Sequence, residues 1–160
     1  MMSKLQTSVT DLLDKEQIPY RLLPHKTPAI SVQDAAEQRG VSPSQMVKTI
    51  VLRDMGGQLA LACVPGDQQV DPKKVRQLLN CRRMTCVTAS DVKAITGFDI
   101  GTINPIINTA SIPIFLDSHF QKYQLVNISS GDRMAGLEIA LADLCYLCQP
   151  TLASLCRELD

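Results

Sequence analysis

The sequence predicts a mixed α+β fold in one domain spanning residues 1–160, and three observations carry that expectation. Segments with strand periodicity alternate with segments of helical periodicity. The strand segments are joined both by a tight glycine turn and by helices, which a doubly wound parallel sheet would not do. No GxGxxG, P-loop, HExxH or GxSxG motif occurs to mark a nucleotide fold or a hydrolase elbow. With 160 residues and 45% hydrophobic content, the chain has apolar surface enough for one ordinary core.

The elements follow from local signals. Leu5, Val9, Leu12 and Leu13 recur at helical spacing, and Pro19 stops that pattern before an extended Tyr20–Leu23. Ser31 can cap a helix that ends at Gly40, and Ser42-Pro43 starts another short one with proline at its first position. Met55-Gly56-Gly57-Gln58 reads as a hairpin turn between strands Lys48–Arg53 and Gln58–Val64. Asp71-Pro72 caps a helix whose inward side carries Val75, Leu78 and Leu79. A short strand at Met84–Val87 precedes a helix that begins at Ala89 or Ser90 and ends at Gly97. Strands are expected at Ile112–Leu116, Gln124–Ile128 and Leu137–Ala140, and the tail from Ala142 to Leu159 is expected to be helical with a break near Pro150.

Composition excludes some classes. Sixteen Lys and Arg balance sixteen Asp and Glu, so no overall field attracts a polyanion and any contact with nucleic acid must be local. No apolar stretch reaches the roughly 18 residues of a membrane span. The start at Met1-Met2-Ser3-Lys4 is followed by an amphipathic pattern and not by an apolar signal core, so the expected location is cytoplasmic. In that compartment the six cysteines are expected as reduced thiols. Cys145 and Cys148, with Cys81 and Cys86, would supply four sulfur ligands, but the 145–148 pair falls in an apolar helical run and not on knuckle turns, so neither a metal nor a cofactor is expected.

Two segments stand out chemically. Val47-Lys48-Thr49-Ile50-Val51-Leu52 places an ammonium in a strand that is apolar on both faces, so Lys48 must be paired, must face an anion, or must emerge at the strand end by snorkelling. In Gly101-Thr102-Ile103-Asn104-Pro105 the glycine removes a Cβ and the proline fixes the exit, which suits close backbone approach to a ligand but equally an ordinary turn. Ser129-Ser130-Gly131 reads either as pocket lining or as a strand-ending turn. His25, in Pro24-His25-Lys26-Thr27-Pro28, is either a pocket wall or an exposed loop residue, and Glu138 is either a ligand contact or a solvated strand carboxylate.

The order and spacing of V-K-T, G-x-x-x-P, Ser129-Ser130-Gly131 and Gly136-Leu137-Glu138-Ile139 resemble the YbaK-type aminoacyl-tRNA deacylases, a family that includes the editing insertion of bacterial proline-tRNA synthetase. The resemblance runs over nearly the whole chain. It implies a curved mixed sheet surrounded by helices, with one pocket on its face. It implies a freestanding hydrolase that cleaves the aminoacyl ester at the 3′ adenosine of a mischarged tRNA. Its partners would be the tRNA acceptor end and an aminoacyl-tRNA synthetase, with no membrane and no cofactor. The catalytic positions it points to are Lys48, which would hold the terminal phosphate, and Gly101, whose loop would present backbone amides to the carbonyl. Substrate contacts would come from His25, Thr49, Ile103, Asn104, Pro105, Ser129, Ser130, Gly131 and Glu138. Two other classes fit the residues: a catalytically inactive tRNA- or nucleotide-binding regulatory module of the same fold, and a hydrolase for another small acyl or nucleotide compound.

Overall fold

The computed structural model describes residues 5–107 and 111–158; the expected helical end at Leu159 and the Met1–Lys4 start lie outside the described residues. Helix α1 (Ser8–Lys15) begins with a capping box, in which the Thr7 hydroxyl accepts from the Thr10 amide at 3.1 Å, and it buries Val9 and Leu13 completely. Strand β1 (Tyr20–Pro24) follows Pro19 as expected. Helix α2 (Val32–Arg39) is capped by Ser31 and ended by Gly40, and a 3-10 turn covers Pro43–Gln45. Strands β2 (Val47–Asp54) and β3 (Leu59–Pro65) form the expected hairpin. Its tip holds because Gly57 takes φ 89° and because Asp54 Oδ1 accepts from the amides of Gly56 and Gln58 at 2.9 and 2.7 Å.

Helix α3 (Pro72–Leu79) is capped by Asp71, strand β4 spans Met84–Cys86, and helix α4 (Ala89–Thr96) stops at Gly97. Strand β5 (Ile114–Asp117), a 3-10 segment (Ser118–Lys122), strands β6 (Leu125–Ser129) and β7 (Ala135–Ala140), helix α5 (Leu141–Cys148) and strand β8 (Thr151–Ala153) complete the chain. The mixed sheet is present in two sections: an antiparallel β1-β7-β6 sheet, and a five-stranded β4-β2-β3-β5-β8 sheet in which β3, β5 and β8 are parallel. A single parallel bridge between Met46 and Asn127 stitches them together.

Two hydrophobic clusters lie on opposite faces of the larger sheet. Val47, Val51, Leu61, Cys63 and Leu116 face one, where they meet Val9, Phe120, Val126, Ile128, Leu137 and Ile139. Leu52, Ala60, Ala62, Val64 and Phe115 face the other, with Val75, Met84 and Leu155. Burial on both faces explains why β3 is apolar throughout.

Two expectations are corrected. Leu78 is exposed on the outer side of α3, where Val75 alone of the named three is fully buried. The tail beyond Pro150 is not helical: Gln149 turns into the left-handed region at φ 44°, proline cannot continue the helix, and Thr151–Ala153 is captured by the free edge of β5.

Asp117 fastens that tail. Its buried carboxylate accepts from the Leu155 amide at 2.8 Å, from the Cys156 thiol at 3.3 Å and from the His119 amide at 2.9 Å. Replacing Asp117 with Ala leaves the buried Leu155 N–H without an acceptor, so we expect a loss of about 1–3 kcal/mol in urea unfolding. An unchanged midpoint would show that the carboxylate is not the fastening.

Candidate functional site

The three-stranded sheet has an inner and an outer face. Leu137 and Ile139 of β7 and Val126 and Ile128 of β6 point into the core. By strand alternation Gly136, Glu138, Asn127 and Ser129 lie on the other side. Register pairs Gly136 with Ser129 and Leu23, and Glu138 with Asn127 and Arg21. The Met46–Asn127 bridge brings the start of β2 beside β6. Val47 packs in the same core as Val126 and Ile128, so Lys48 and Ser129 both point away from it.

Lys48 is half-buried, and its ammonium donates to the carbonyl of Gln68. Burial pushes its pKa down, opposed by Cys156 and Asp67 nearby. Thr49 is one residue on and therefore faces inward, where its hydroxyl meets the Cys63 sulfur at 3.8 Å. Adjacent residues of a strand cannot share a face, and Thr49 does not join Lys48.

The Gly101–Pro105 loop is tied to the end of β6. Ser129 Oγ donates to the Thr102 carbonyl at 2.9 Å and accepts from the Gly131 amide at 3.0 Å. Gly101 is exposed at φ 91°, and a Cβ built on it would meet no atom within 4 Å, so an open space lies before it. Thr102 anchors the loop by donating its amide and hydroxyl to the Asp99 carbonyl at 3.0 and 2.7 Å. Ile103 and Pro105 are buried in the loop's underside. Asn104 is buried too, with Oδ1 accepting from the amides of Ile106 and Ile107 while Nδ2 has no partner among the described residues. Ser130 is fully buried, and its hydroxyl is spent on the Ala135 carbonyl at 2.6 Å within the turn. Glu138 is held by Arg21 in a two-pronged pair at 3.2 and 3.1 Å.

His25 is buried, not an exposed loop residue. Its Nδ1 lies 2.7 Å from the Arg133 carbonyl, and its Nε2 receives the Nε–H of Arg39 at 3.0 Å. The structure thus ties Ser129 to Gly131 and to the Gly101 loop, with Glu138 on the same sheet face as Ser129 and Lys48 on the strand that the Met46–Asn127 bridge joins to β6. The side chains of Thr49, Ile103 and Ser130 turn elsewhere. Arg39 and Asn127 belong to this face as well, and no sequence motif flagged them.

No nucleophile hydrogen-bonded to a histidine base occurs among the described residues, so the arrangement offers cations, backbone amides and hydroxyls but not a covalent relay. The six cysteines are free thiols, and among the described residues no cluster of His, Cys, Asp or Glu is placed to hold a metal. Burial pushes the thiols of Cys63, Cys148 and Cys156 up to about 12, which keeps them protonated.

A concavity of about 520 Å³ opens beyond Lys48, beside α3 and β4. Lys73, Arg76, Arg83 and Arg157 line it against one carboxylate, Asp71, whose Oδ1 caps α3. Residues 68–71 connect it to Lys48: Gln68 takes the Lys48 ammonium, while Gln69 and Val70 accept from the Arg157 amide and Nε at 2.8 and 3.3 Å. Among the described residues no helix is long and apolar enough to cross a membrane.

A family model described as an aminoacyl-tRNA editing domain matches residues 26–147. A protein of Enterococcus faecalis named "Putative Cys-tRNA(Pro)/Cys-tRNA(Cys) deacylase EbsC" is 25% identical over 139 residues, covering 86% of this chain and 84% of that one. A proline–tRNA ligase of Bacillus licheniformis is 29% identical over 106 residues, which are 66% of this chain and 18% of the ligase. A crystal structure titled as a "putative trans-editing enzyme for prolyl tRNA synthetase" superposes with a TM-score of 0.82 at 23% identity, covering 97% of this chain and all of the other, and shares the fold.

Burial lowers the His25 pKa below its ordinary 6.5, with Arg39 adding to the shift and the Arg133 carbonyl, Asp34 and Asp132 opposing it. Since the unfolded chain takes up the proton first, the stability that His25 contributes is present above about pH 6.5 and is lost as the pH falls from there toward the folded value. We expect the urea midpoint to drop between pH 7.5 and 5 by less in His25→Gln than in the parent chain. Equal drops would show that His25 does not titrate in the folding transition.

Proposed function

The chain belongs to the aminoacyl-tRNA editing domain family, and we propose that it is a freestanding trans-editing hydrolase that removes a wrongly attached amino acid from the 3′ adenosine of a tRNA. The observation that carries this reading is the tie of the open Gly101 loop to Ser129 at the end of β6, the strand that a bridge joins to the start of the Lys48 strand. Lys48 would exchange the Gln68 carbonyl for the phosphate of the terminal adenosine. The Gly101–Pro105 loop would orient the ester carbonyl with its backbone amides. Water then adds to that carbonyl, the bond from the carbonyl carbon to the ribose oxygen breaks, and the ribose oxygen takes the proton. An aminoacyl ester is already activated, so orientation and hydrogen-bond donors suffice without a covalent nucleophile.

The basic concavity supports tRNA as partner. In a chain of zero formal charge, four cations against one carboxylate make a local field that fits the phosphates of an acceptor stem. The need for such a hydrolase follows from synthetase discrimination, since one methylene in an apolar pocket is worth only about 1–3 kcal/mol. Its place of action would be the cytoplasm, with an aminoacyl-tRNA synthetase as source of the mischarged substrate. A second reading, a binding module without turnover, draws on the Lys48 ammonium being already occupied by Gln68.

Release of amino acid from a panel of mischarged tRNAs separates the two. We expect Lys48→Ala to lower turnover on the order of a hundredfold, the scale of one lost electrostatic contact, with an unchanged melting temperature. Lys48→Arg should also be impaired, because a planar fork does not replace a compact ammonium. Unaltered turnover in folded Lys48→Ala would remove the assigned role.

Gly101→Val should lose more activity than stability. A Cβ there meets no protein atom, so the side chain enters the open space before the loop, and holding a β-branched residue at φ 91° costs on the order of 1–3 kcal/mol. Full turnover in the folded variant would contradict the role of the loop.

A further inference from the structure

Gly136 is glycine for space and not for conformation: its φ is not positive, and a Cβ there would collide with Nε and Cζ of Arg39. The Arg39 guanidinium therefore lies directly on the β7 backbone, on the outer face of the small sheet, with Ser129 across on β6. An arginine N–H can only donate, so His25 Nε2 must be the acceptor, and the His25 proton sits on Nδ1 and goes to the Arg133 carbonyl. A neutral imidazole thus fixes the direction of a cation without neutralising it.

Arg39 has no ion pair among the described residues, and Nε is its only nitrogen with a protein partner there. Of the carboxylates on this side, Glu138 is taken by Arg21, Asp34 by Gln38 and the Ile30 amide, and Asp132, near His25, accepts from the Met134 amide. The two terminal nitrogens keep a fork of donors whose spacing matches a phosphate. Desolvation lowers the Arg39 pKa to about 10, the cost of holding a charge against the sheet without an anion. Asn127, buried on the same face opposite Glu138, has neither Oδ1 nor Nδ2 satisfied. The buried Asn127 amide leaves that face polar but unsatisfied, and the terminal nitrogens of the half-buried Arg39 are the donors an incoming oxyanion would meet.

We propose that Arg39, seated on Gly136 and aimed by His25, is a phosphate-binding subsite, and that its ligand is an internucleotide phosphate of the single-stranded 3′ end of tRNA. The tRNA source rests on the editing reading above, whereas the anion site stands on the geometry. The strand of Lys48 is bridged to β6 on one side and Gly136 pairs with Ser129 on the other, so Lys48 and the Arg39 laid on Gly136 stand on either side of β6, placed for successive phosphates that all lie on the 5′ side of the reacting ribose.

The test is a titration of the full chain with adenosine, inorganic phosphate and the trinucleotide CCA, with no reading of deacylation. CCA should bind more tightly than adenosine, and Arg39→Gln should weaken CCA about tenfold, the scale of one charge-assisted pair, while leaving adenosine unchanged. Gly136→Ala, which keeps the arginine but displaces it, should do the same. In the unmodified protein the Arg39 Nε–H resonance should move on adding CCA, a reading that needs no variant to fold. An unmoved resonance, or an equal loss of CCA and adenosine in Arg39→Gln, overturns the subsite. Inorganic phosphate binding as tightly as CCA overturns the tRNA source. Binding of CCA through Arg39 in a protein that hydrolyses no mischarged tRNA keeps this subsite and removes the deacylase; turnover with a silent Arg39 removes the subsite alone.

Discussion

The place of β2 between two hydrophobic clusters is the constraint on which the rest depends. Val47 and Val51 fill one cluster, Ile50 and Leu52 pack in the other, and little of the strand is left for chemistry except its ends. Lys48 occupies the end beside β6, where the Met46–Asn127 bridge joins the two sheets. A slip of one residue in the β2–β3 pairing would drive the lysine into the core and turn Val47 outward. The Asp54–Gly57 hairpin tip, far from Lys48 along the strand, is therefore what holds the ammonium on the correct side.

The fold was legible where its causes are local. Ser31, Asp71, Gly40 and Gly97 mark helix ends by the hydrogen bonds and dihedrals they alone supply, and the glycine turn announced its hairpin. Strand β8 was not legible, because what makes Thr151–Ala153 extended is the free edge of β5, distant in sequence, while the leucines continue an apolar run that reads as helix. In the site, Lys48 and Gly101 could be found because a cation in an apolar strand and a glycine-to-proline loop are anomalies in themselves. Thr49 and Ser130 came along as neighbours of such residues, yet strand alternation sends one inward and the turn consumes the other. Arg39 gave no signal: an arginine before a helix-ending glycine looks like a solvated partner of the helix dipole, and only Gly136, about a hundred positions away, reveals that it is laid on a sheet.

Electrostatics here are a matter of placement and not of sum. Equal numbers of acidic and basic residues conceal a cation-lined hollow at α3, a half-buried lysine at the head of β2 and an arginine held by a neutral histidine. Such a distribution keeps long-range attraction to any polyanion weak and reserves the interaction for a chain that follows a particular path across the surface.

Among the described residues strand β1 pairs with β7 alone: Tyr20 waits for Ile139, and Pro24 for Ala135. During synthesis the amino-terminal strand leaves the ribosome long before anything exists to pair with it, and β3 likewise cannot gain its parallel neighbour until residues 66–113 have been made. The small sheet can therefore close only after β7 has been made, and until β5 follows, the apolar hairpin of β2 and β3 keeps an unpaired edge. Sheet closure in this chain is in that sense set by sequence separation, with the first strand waiting for one made more than a hundred residues later.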